Sequence, residues 1–358
     1  MKILDFGKGQ NGTKAHLFVL NNQNGMKISL TEYGAHLVSV EIPCKDGTTR
    51  DVVLGYDDVT GYESDQSCLG ATIGRNANRI KDAMFCLNGR SFQLEANDNG
   101  NNSHSGPDGY QYRFWDVTDH GVDSVTFSLL SPDGDQGFPG ELDMHVTYSL
   151  TDRNQIVIHF KGTTSQDTIV NMTNHSYFNL NGHDAGNILN HTLSIDADIY
   201  TPVKDETWIP TGEHATVTGT PMDFRQSKQI GAEIEADFDQ LNIVHDYNHN
   251  YILNKRSYDA EDDIGKQMFK EVEELGESCG DLSHIRMTAY TNLPAVQLYT
   301  AGYMENIKGK SGCVYHKQQG FCLEAQFTPN AINMPDEEQP ILKAGEVYDR
   351  TIIYEFDF

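Results

Sequence analysis

Apolar and polar residues alternate repeatedly along the 358-residue chain. Such alternation is typical of β-strands whose two faces meet different surroundings. Segments with this pattern, or rich in β-forming residues, include residues 26–30, 36–42, 124–130, 145–150, 155–160, 296–300 and 351–356. Turn-forming pairs such as Asn24-Gly25 and Asp46-Gly47 separate them, and short turns of this kind join antiparallel neighbours. The pattern therefore predicts an all-β protein built from antiparallel sheet.

Helical spacing is confined to two stretches. Residues 229–241 form a short acidic segment, and residues 262–277 place four apolar residues at helical intervals: Ile264, Met268, Val272 and Leu275. Residues 255–284 are also highly charged and weakly patterned, which predicts a charged helical excursion from the sheet. No strand–helix alternation, repeat or linker divides the chain, so we expect a single domain over residues 1–358.

The balance of charge restricts the partners. With 26 basic and 52 acidic residues, the formal net charge is −26. Such a surface repels phosphate backbones, so nucleic acid is not expected as a partner. It also disfavours phosphorylated or carboxylated substrates unless a local basic pocket overrides it. Solubility alone would explain the same acidity.

Nothing in the sequence indicates export or a membrane. The N-terminal residues lack the apolar core of a secretory signal, and no run approaches the roughly 18 apolar residues of a membrane helix. The six cysteines form no C-x-x-C pair, which is typical of free thiols. We therefore expect a cytoplasmic protein, a monomer or homodimer, with no membrane partner.

Two segments carry the strongest candidates for acid–base chemistry. His175 lies in a polar segment, residues 173–180, that follows a β-like run. The ordinary pKa of histidine, near 6.5, suits proton donation near neutrality, although a buried histidine held by backbone groups is the alternative. Glu324 lies in an apolar run, where burial would raise its pKa to that of a general base. A glutamate facing solvent on an edge strand is its alternative.

Other polar residues could surround such a pair. His104 lies in a loop rich in Asn and Gly, residues 97–106, which could place it over a cleft or leave it on the surface. Arg79 could donate to hydroxyl oxygens or clamp a turn, whereas a structural role is favoured for Arg75. Asp246 could accept two hydroxyl hydrogen bonds or form an Asx turn.

Motifs for other chemistries are missing from the sequence. There is no H-E-x-x-H, Cys/His cluster or EF-hand loop, and His245 and His249 lack an obvious third ligand. There is no G-x-S-x-G nucleophile motif either. An acid, a base and neutral polar groups without a metal or cofactor suit proton transfer on a neutral polyhydroxylated molecule.

Several segments, taken in order and with their spacing, resemble the aldose 1-epimerase (galactose mutarotase) family. They are residues 70–80, 99–106, 174–182, 201–212, 221–224, 246–251, 293–300 and 321–335. The resemblance implies a large antiparallel β-supersandwich with a few short helices and an open cleft. It also implies interconversion of the α and β anomers of free hexoses such as galactose and glucose, without a cofactor.

The resemblance also implies roles for single residues. Glu324 matches the general base that takes the anomeric hydroxyl proton, His175 the acid that protonates the ring oxygen, and His104 a partner near the reacting oxygens. The resemblance also implies that Asn78, Arg79, Asp246 and Gln297 bind the sugar. Tyr177 is one further candidate for sugar binding.

Two other functions stay open at this point. A hexose-6-phosphate epimerase could use the same scaffold, but it would need a cationic phosphate pocket. A non-catalytic sugar-binding sandwich, or a domain attached to a glycoside hydrolase, could keep Asp246 and Arg79 without both His175 and Glu324.

Overall fold

The computed structural model describes residues 1–254 and 273–358. The first sheet has five antiparallel strands paired in chain order: β1 (Lys2–Lys8), β2 (Lys14–Asn21), β3 (Lys27–Thr31), β4 (His36–Pro43) and β5 (Thr49–Asp51). Its turns contain the Asn24-Gly25 and Asp46-Gly47 pairs that the sequence indicated, with Gly25 and Gly47 at positive φ.

The chain then forms further short and long elements. Up to residue 175 these are α1 (Val59–Ser64), β6 (Ala71–Ile73), β7 (Arg79–Ile80), β8 (Met84–Leu87), β9 (Arg90–Gln93), β10 (Asn102–Ser103), β11 (Asp116–His120), β12 (Ser124–Ser131), β13 (Leu142–Leu150), β14 (Gln155–Thr164), β15 (Thr168–Ile169) and β16 (Thr173–His175). Up to residue 279 they are β17 (Thr192–Leu193), β18 (Ile199–Thr201), β19 (Ala215–Thr216), β20 (Lys228–Gln229), α2 (Asp239–Val244), β21 (Asn248–Ile252) and β22 (Glu273–Cys279).

The C-terminal part completes the fold. Its strands are β23 (Arg286–Thr291), β24 (Ala295–Tyr299), β25 (Ile307–Lys308), β26 (Val314–Tyr315), β27 (Cys322–Gln326), β28 (Ile341–Leu342) and β29 (Val347–Asp357). Single 3-10 turns occur at Lys81–Ala83, Tyr110–Tyr112, Asp135–Gly137, Ile230–Ala232, Lys310–Gly312 and Ala331–Asn333.

Two further large sheets join the first. One has nine strands in the order β11-β12-β13-β14-β29-β23-β22-β17-β20, and the other has five in the order β19-β18-β21-β24-β27. Alternate residues of β13, such as Val146 and Tyr148, are fully buried, as period-2 patterning requires. The prediction of an all-β antiparallel fold with a few short helices is confirmed.

One continuous apolar core ties the three large sheets together. It contains Leu37 from the first sheet, Val146 and Tyr354 from the nine-stranded sheet, and Leu298 and Leu323 from the second five-stranded sheet. Each fully buried side chain of this kind contributes about 1.5–3 kcal/mol. The second five-stranded sheet is therefore held rigidly enough to present side chains to a site.

The helical predictions are partly wrong. Residues 229–241 form a 3-10 turn and then α2, which begins at Asp239, rather than one helix. Within the predicted helix at 262–277, the residues from Glu273 onward form β22, because Leu275 is buried in the sheet core. Gly276 allows this pairing, since a Cβ there would lie 2.1 Å from the Ser194 carbonyl oxygen. Of the rest of the predicted excursion at 255–284, residues 255–272 lie outside the described residues, and residues 281–283 form a turn after β22.

No helix in the described part of the chain is both long enough and apolar enough to span a membrane.

Candidate active site

An open cleft of about 800 Å³ lies over the second five-stranded sheet, with His104, His175 and Glu324 among its lining residues. Glu324 is on β27, directly opposite Gln297 of β24. His175 ends β16, where it pairs with Ala71 of β6. Residues far apart in the chain thus meet because separate strands present them to one cavity.

His175 and Glu324 form a close histidine–carboxylate pair in this cleft. The His175 Nε2 lies 3.6 Å from the Glu324 Oε2. Only 5% of His175 and 2% of Glu324 is exposed to solvent. Among the described residues, no donor makes a hydrogen bond to the Glu324 Oε2. A buried carboxylate oxygen without a donor is costly in a purely structural role, which favours a chemical one.

Burial shifts the pKa of both partners away from their charged forms. It raises the pKa of Glu324 to about 8, although the positive charge of Arg79 opposes the rise. It lowers the pKa of His175 to about 4. Since both shifts disfavour charge, the pair is neutral near pH 7, with its shared proton on Glu324.

His104 completes the polar end of the cleft. It follows β10 in a left-handed conformation, with φ at +48°. The backbone N–H of Asn78 donates to the His104 Nδ1 at 3.2 Å. The pKa of His104 is well below its usual value, chiefly because of burial and then of His175 and Arg79. The neutral ring therefore carries its proton on Nε2 and acts as a donor.

The same hydrogen bond bears on metal binding. One ligand atom from each of His104, His175 and Glu324 lies within 4.8 Å of the others, a spacing a metal ion could bridge. A zinc ligand must offer a nitrogen lone pair. In His104 one nitrogen accepts from Asn78 and the other is protonated, so this donor set fits a hydrogen-bonding site better than a metal site.

Arg79 is held at the wall of the cleft. Its Nε donates to the Asp98 Oδ2 at 2.7 Å, and its Nη1 donates to the Asn78 Oδ1 at 3.4 Å. The guanidinium carbon lies 4.5 Å from the ring centre of Trp208. Arg79 thus lines the cleft and also clamps its neighbours Asp98 and Asn78, so features of both alternatives are observed. Arg75, by contrast, is fully buried and donates to backbone carbonyls and Ser131, the structural role favoured for it.

Gln297 and Asp246 are not among the described lining residues of the cleft. The Gln297 Nε2 donates to the Oδ1 of Asn248, which does line the cleft, at 2.6 Å. Asp246 is 1% exposed, and its carboxylate accepts hydrogen bonds from the Thr300 hydroxyl, the Tyr247 N–H and the Gln318 amide. Burial raises the pKa of Asp246 to about 6.

Comparisons with known proteins agree with this geometry. The model of the family described as aldose 1-epimerase matches residues 16–355. A galactose mutarotase from Bos taurus is 38% identical over 334 residues, which cover 92% of this chain and 91% of the relative. An aldose 1-epimerase from Escherichia coli is 37% identical over 347 residues, 96% of each chain. The chain belongs to the aldose 1-epimerase family.

Solved structures support the same assignment. A crystal structure of an aldose epimerase homologue from C. elegans has a TM-score of 0.86 and 30% sequence identity, and it covers 96% of this chain and 99% of that chain. A galactose 1-epimerase from Lactobacillus acidophilus has a TM-score of 0.83 at 26% identity over 99% of this chain and 98% of that one. The supersandwich expected of an aldose 1-epimerase is thus the fold of this protein.

Tyr177 contacts the catalytic candidate His175 directly. Its ring stacks on His175, with centres 5.0 Å apart and planes 17° apart. Its hydroxyl donates to the Ser67 carbonyl oxygen at 2.8 Å. The ring lines the cleft and fixes His175, while the hydroxyl is already used.

Several lining residues of the aldose 1-epimerase cleft were missed by the sequence analysis. Asp98, Trp208, Asn248 and Tyr299 all line it. Trp208 and Asn248 lie within segments that carried the family resemblance, which was the available signal. Their contact with Arg79 and Gln297 depends on chain segments more than 40 residues apart, and local patterns do not report such contacts.

Proposed function

We propose that the protein interconverts the α and β anomers of free hexoses such as galactose and glucose. The observation that carries the proposal is the buried His175–Glu324 pair, 3.6 Å apart at the polar end of an open cleft. Mutarotation moves two protons at one acetal-like carbon and needs an acid and a base held close together.

The proton balance follows from this pair. Ring opening starts from the ionised form of the pair, in which the shared proton has moved from Glu324 to His175. The Glu324 carboxylate then takes the anomeric hydroxyl proton while protonated His175 delivers a proton to the ring oxygen, and the C1–ring oxygen bond breaks. The pair is left neutral, and the sugar is an open aldehyde. After rotation about the C1–C2 bond, neutral His175 takes the proton of the attacking hydroxyl and Glu324 returns its proton to the carbonyl oxygen.

The pair therefore holds one proton throughout the cycle. The neutral form that burial favours is the state that recloses the open sugar. Because the pKa of His175 is about 4 and that of Glu324 about 8, the pair holds a single proton between these values. We expect kcat/KM to form a plateau in this range and to fall on both sides, which stopped-flow polarimetry against pH would measure.

The residues that line the cleft are the ones we assign to direct contact with the sugar. Arg79, Asn78 and the Nε2–H of His104 offer donors to sugar oxygens, and Tyr177 packs beside His175. Gln297 acts through Asn248, to whose Oδ1 it donates. Asp246 is held by hydrogen bonds from Thr300, Tyr247 and Gln318. The cytoplasmic location and the monomeric or homodimeric state stay predictions from the sequence.

Polarimetry on freshly dissolved α-D-galactose and α-D-glucose tests the proposal. The protein should accelerate the approach to the equilibrium rotation beyond the buffer rate, and His175→Asn should remove most of that acceleration. Sugar binding in calorimetry without any acceleration would instead support the non-catalytic sugar-binding module.

A phosphorylated hexose is disfavoured by the charge of the cleft. The described lining residues include one basic side chain of the Lys or Arg type, Arg79, and three acidic side chains, Glu63, Asp98 and Glu324. Arg79 is already paired with Asp98. We expect glucose to react faster than glucose 6-phosphate, and the reverse order would favour the phosphate epimerase.

A further inference from the structure

Trp208 adopts an unusual backbone conformation at the edge of the cleft. Its φ is +56°, a left-handed value that bulky side chains seldom adopt. A tight turn imposes it: the Trp208 N–H donates to the Asp205 carbonyl oxygen, and the Lys204 N–H donates to that of Ile209, both at 2.9 Å. Conformations of this kind concentrate at functional sites, where the surrounding structure maintains them.

The turn places the indole ring against Arg79. The guanidinium carbon lies 4.5 Å from the ring centre, within the range of a cation–π interaction, for which tryptophan is the best partner. On another side Asp98 accepts from the Arg79 Nε. Tyr303 in turn packs on Trp208, with ring centres 5.0 Å apart. The guanidinium is thus held by an ion pair and an aromatic ring from separate segments of the chain.

We propose that Trp208 is a positioning residue that keeps the Arg79 guanidinium at the wall of the cleft that Glu324 also lines, directed at the sugar. This inference rests on the proposed function. Without the ring, the ion pair with Asp98 and the long hydrogen bond to the Asn78 Oδ1 are left to restrain a flexible side chain, and Arg79 spends more time away from Glu324.

The electrostatic consequence has a definite sign. The charge of Arg79 lowers the pKa of Glu324 against the effect of burial. When Arg79 moves away, that pKa rises further and the alkaline limb of the kcat/KM profile shifts to higher pH. The other titratable groups that interact with Glu324 are His104, His175, Cys68, Cys322, Tyr177 and Tyr354. Among the described residues, Trp208 makes no ring contact or hydrogen bond with any of these groups.

The experiment compares three variants. Trp208→Asn removes the ring and suits the left-handed backbone, Trp208→Phe keeps a weaker aromatic face, and Trp115→Phe is the matched control. Trp115 is the other tryptophan of the chain, is 3% exposed in the core and does not line the cleft. Thermal melts by circular dichroism establish that each variant folds, and Trp208→Gly replaces the Asn variant if that one does not.

For Trp208→Asn we expect the alkaline limb to move up by about half a pH unit or more, and kcat/KM to fall about fivefold or more with the loss mainly in KM. Trp208→Phe should lie between it and the wild type, and Trp115→Phe should keep the wild-type profile. A lower melting temperature with an unshifted limb would show that Trp208 merely supports its turn, and would overturn the inference.

A second measurement does not need turnover. A ¹³C NMR titration of the Glu324 carboxyl carbon should show the same upward shift in Trp208→Asn. If the wild type fails to accelerate mutarotation but this shift occurs, the proposed function fails and the positioning of Arg79 stands. If mutarotation is normal and the titration is unchanged in the variant, the inference fails and the proposed function stands.

Discussion

Lys310 and Glu324 are both ionisable residues with little exposure, 6% and 2%, yet their surroundings differ. The Lys310 Nζ donates to the Val38 carbonyl oxygen at 2.8 Å and forms an ion pair with Asp51. The Glu324 Oε2 accepts no hydrogen bond from the described residues and faces a cleft. A buried charged group whose charge is paired, such as Lys310, is typical of a structural role. A buried carboxylate oxygen that accepts no hydrogen bond and faces a cavity is typical of a reactive group.

The sharpest test of this comparison is Glu324→Gln. The amide keeps the shape of the side chain but can neither take nor return a proton, so kcat should fall by about 10²–10⁴-fold while the protein stays folded. Polarimetry gives the rate and circular dichroism the fold. A wild-type rate in this variant would remove Glu324 from the mechanism.

Lys310→Met should show the opposite profile. Removing the cation leaves Asp51, whose side chain is 18% exposed, without its ion-pair partner, although the Val40 and Val53 N–H groups still donate to it. We therefore expect a loss of about 1–3 kcal/mol of unfolding free energy. The folded fraction should keep nearly normal mutarotation, since Lys310 does not line the cleft. Urea denaturation measures the first quantity, with the exposed Lys308→Met on β25 as the matched control. A large loss of kcat with unchanged stability would contradict the structural role.

The pH dependence of stability separates the two groups further. Because the folded-state pKa of Glu324 is about 8, above the ordinary value of 4.5, its contribution to stability is complete below about pH 4.5 and is lost as the pH rises through 8. Glu324→Gln lacks this loss and should be more stable than the wild type at pH 9, by on the order of a few kcal/mol. Melting temperatures between pH 4 and 9 measure the difference, which should shrink toward acid. A difference that does not change with pH would mean that Glu324 is not buried as described.

The smallest expected effect on kcat comes from the contact at the Nδ1 of His175. The Cys322 Sγ lies 3.5 Å from the His175 Nδ1, and burial raises the pKa of this thiol well above its usual value. The weak contact between the thiol and this ring nitrogen helps orient the ring, so Cys322→Ala should lower kcat by about two- to tenfold. Cys86→Ala, at an exposed cysteine, is the control. An unchanged rate in Cys322→Ala would show that Tyr177 alone holds the ring.

The local pattern predicted much of the fold and less of the site. Segments such as 145–150 and 351–356 are strands because alternate side chains enter one core, and this period is visible in the sequence. The helix expected at 262–277 fails from Glu273 onward because Leu275 joins a sheet, and pairing with distant strands overrides helical spacing.

The site divides in the same way. His104, His175 and Glu324 could be named from the sequence because their residue types and neighbours matched a family pattern. The contact of Trp208 with Arg79, and the hydrogen bonds of Asp246 to Gln318 and of Gln297 to Asn248, could not be named, because each depends on packing between segments far apart in the chain.

The sequence by itself predicted most of the strands and turns, since these follow from the order of side chains along a few residues, and its family resemblance pointed to His175 and Glu324 as the acid–base pair. Only the tertiary structure decided that Glu324 is buried, that His104 is oriented by the Asn78 N–H, and that Arg79 is held near the carboxylate. The physical reason is that pKa and hydrogen-bonding state depend on exclusion of water and on charges brought close by folding.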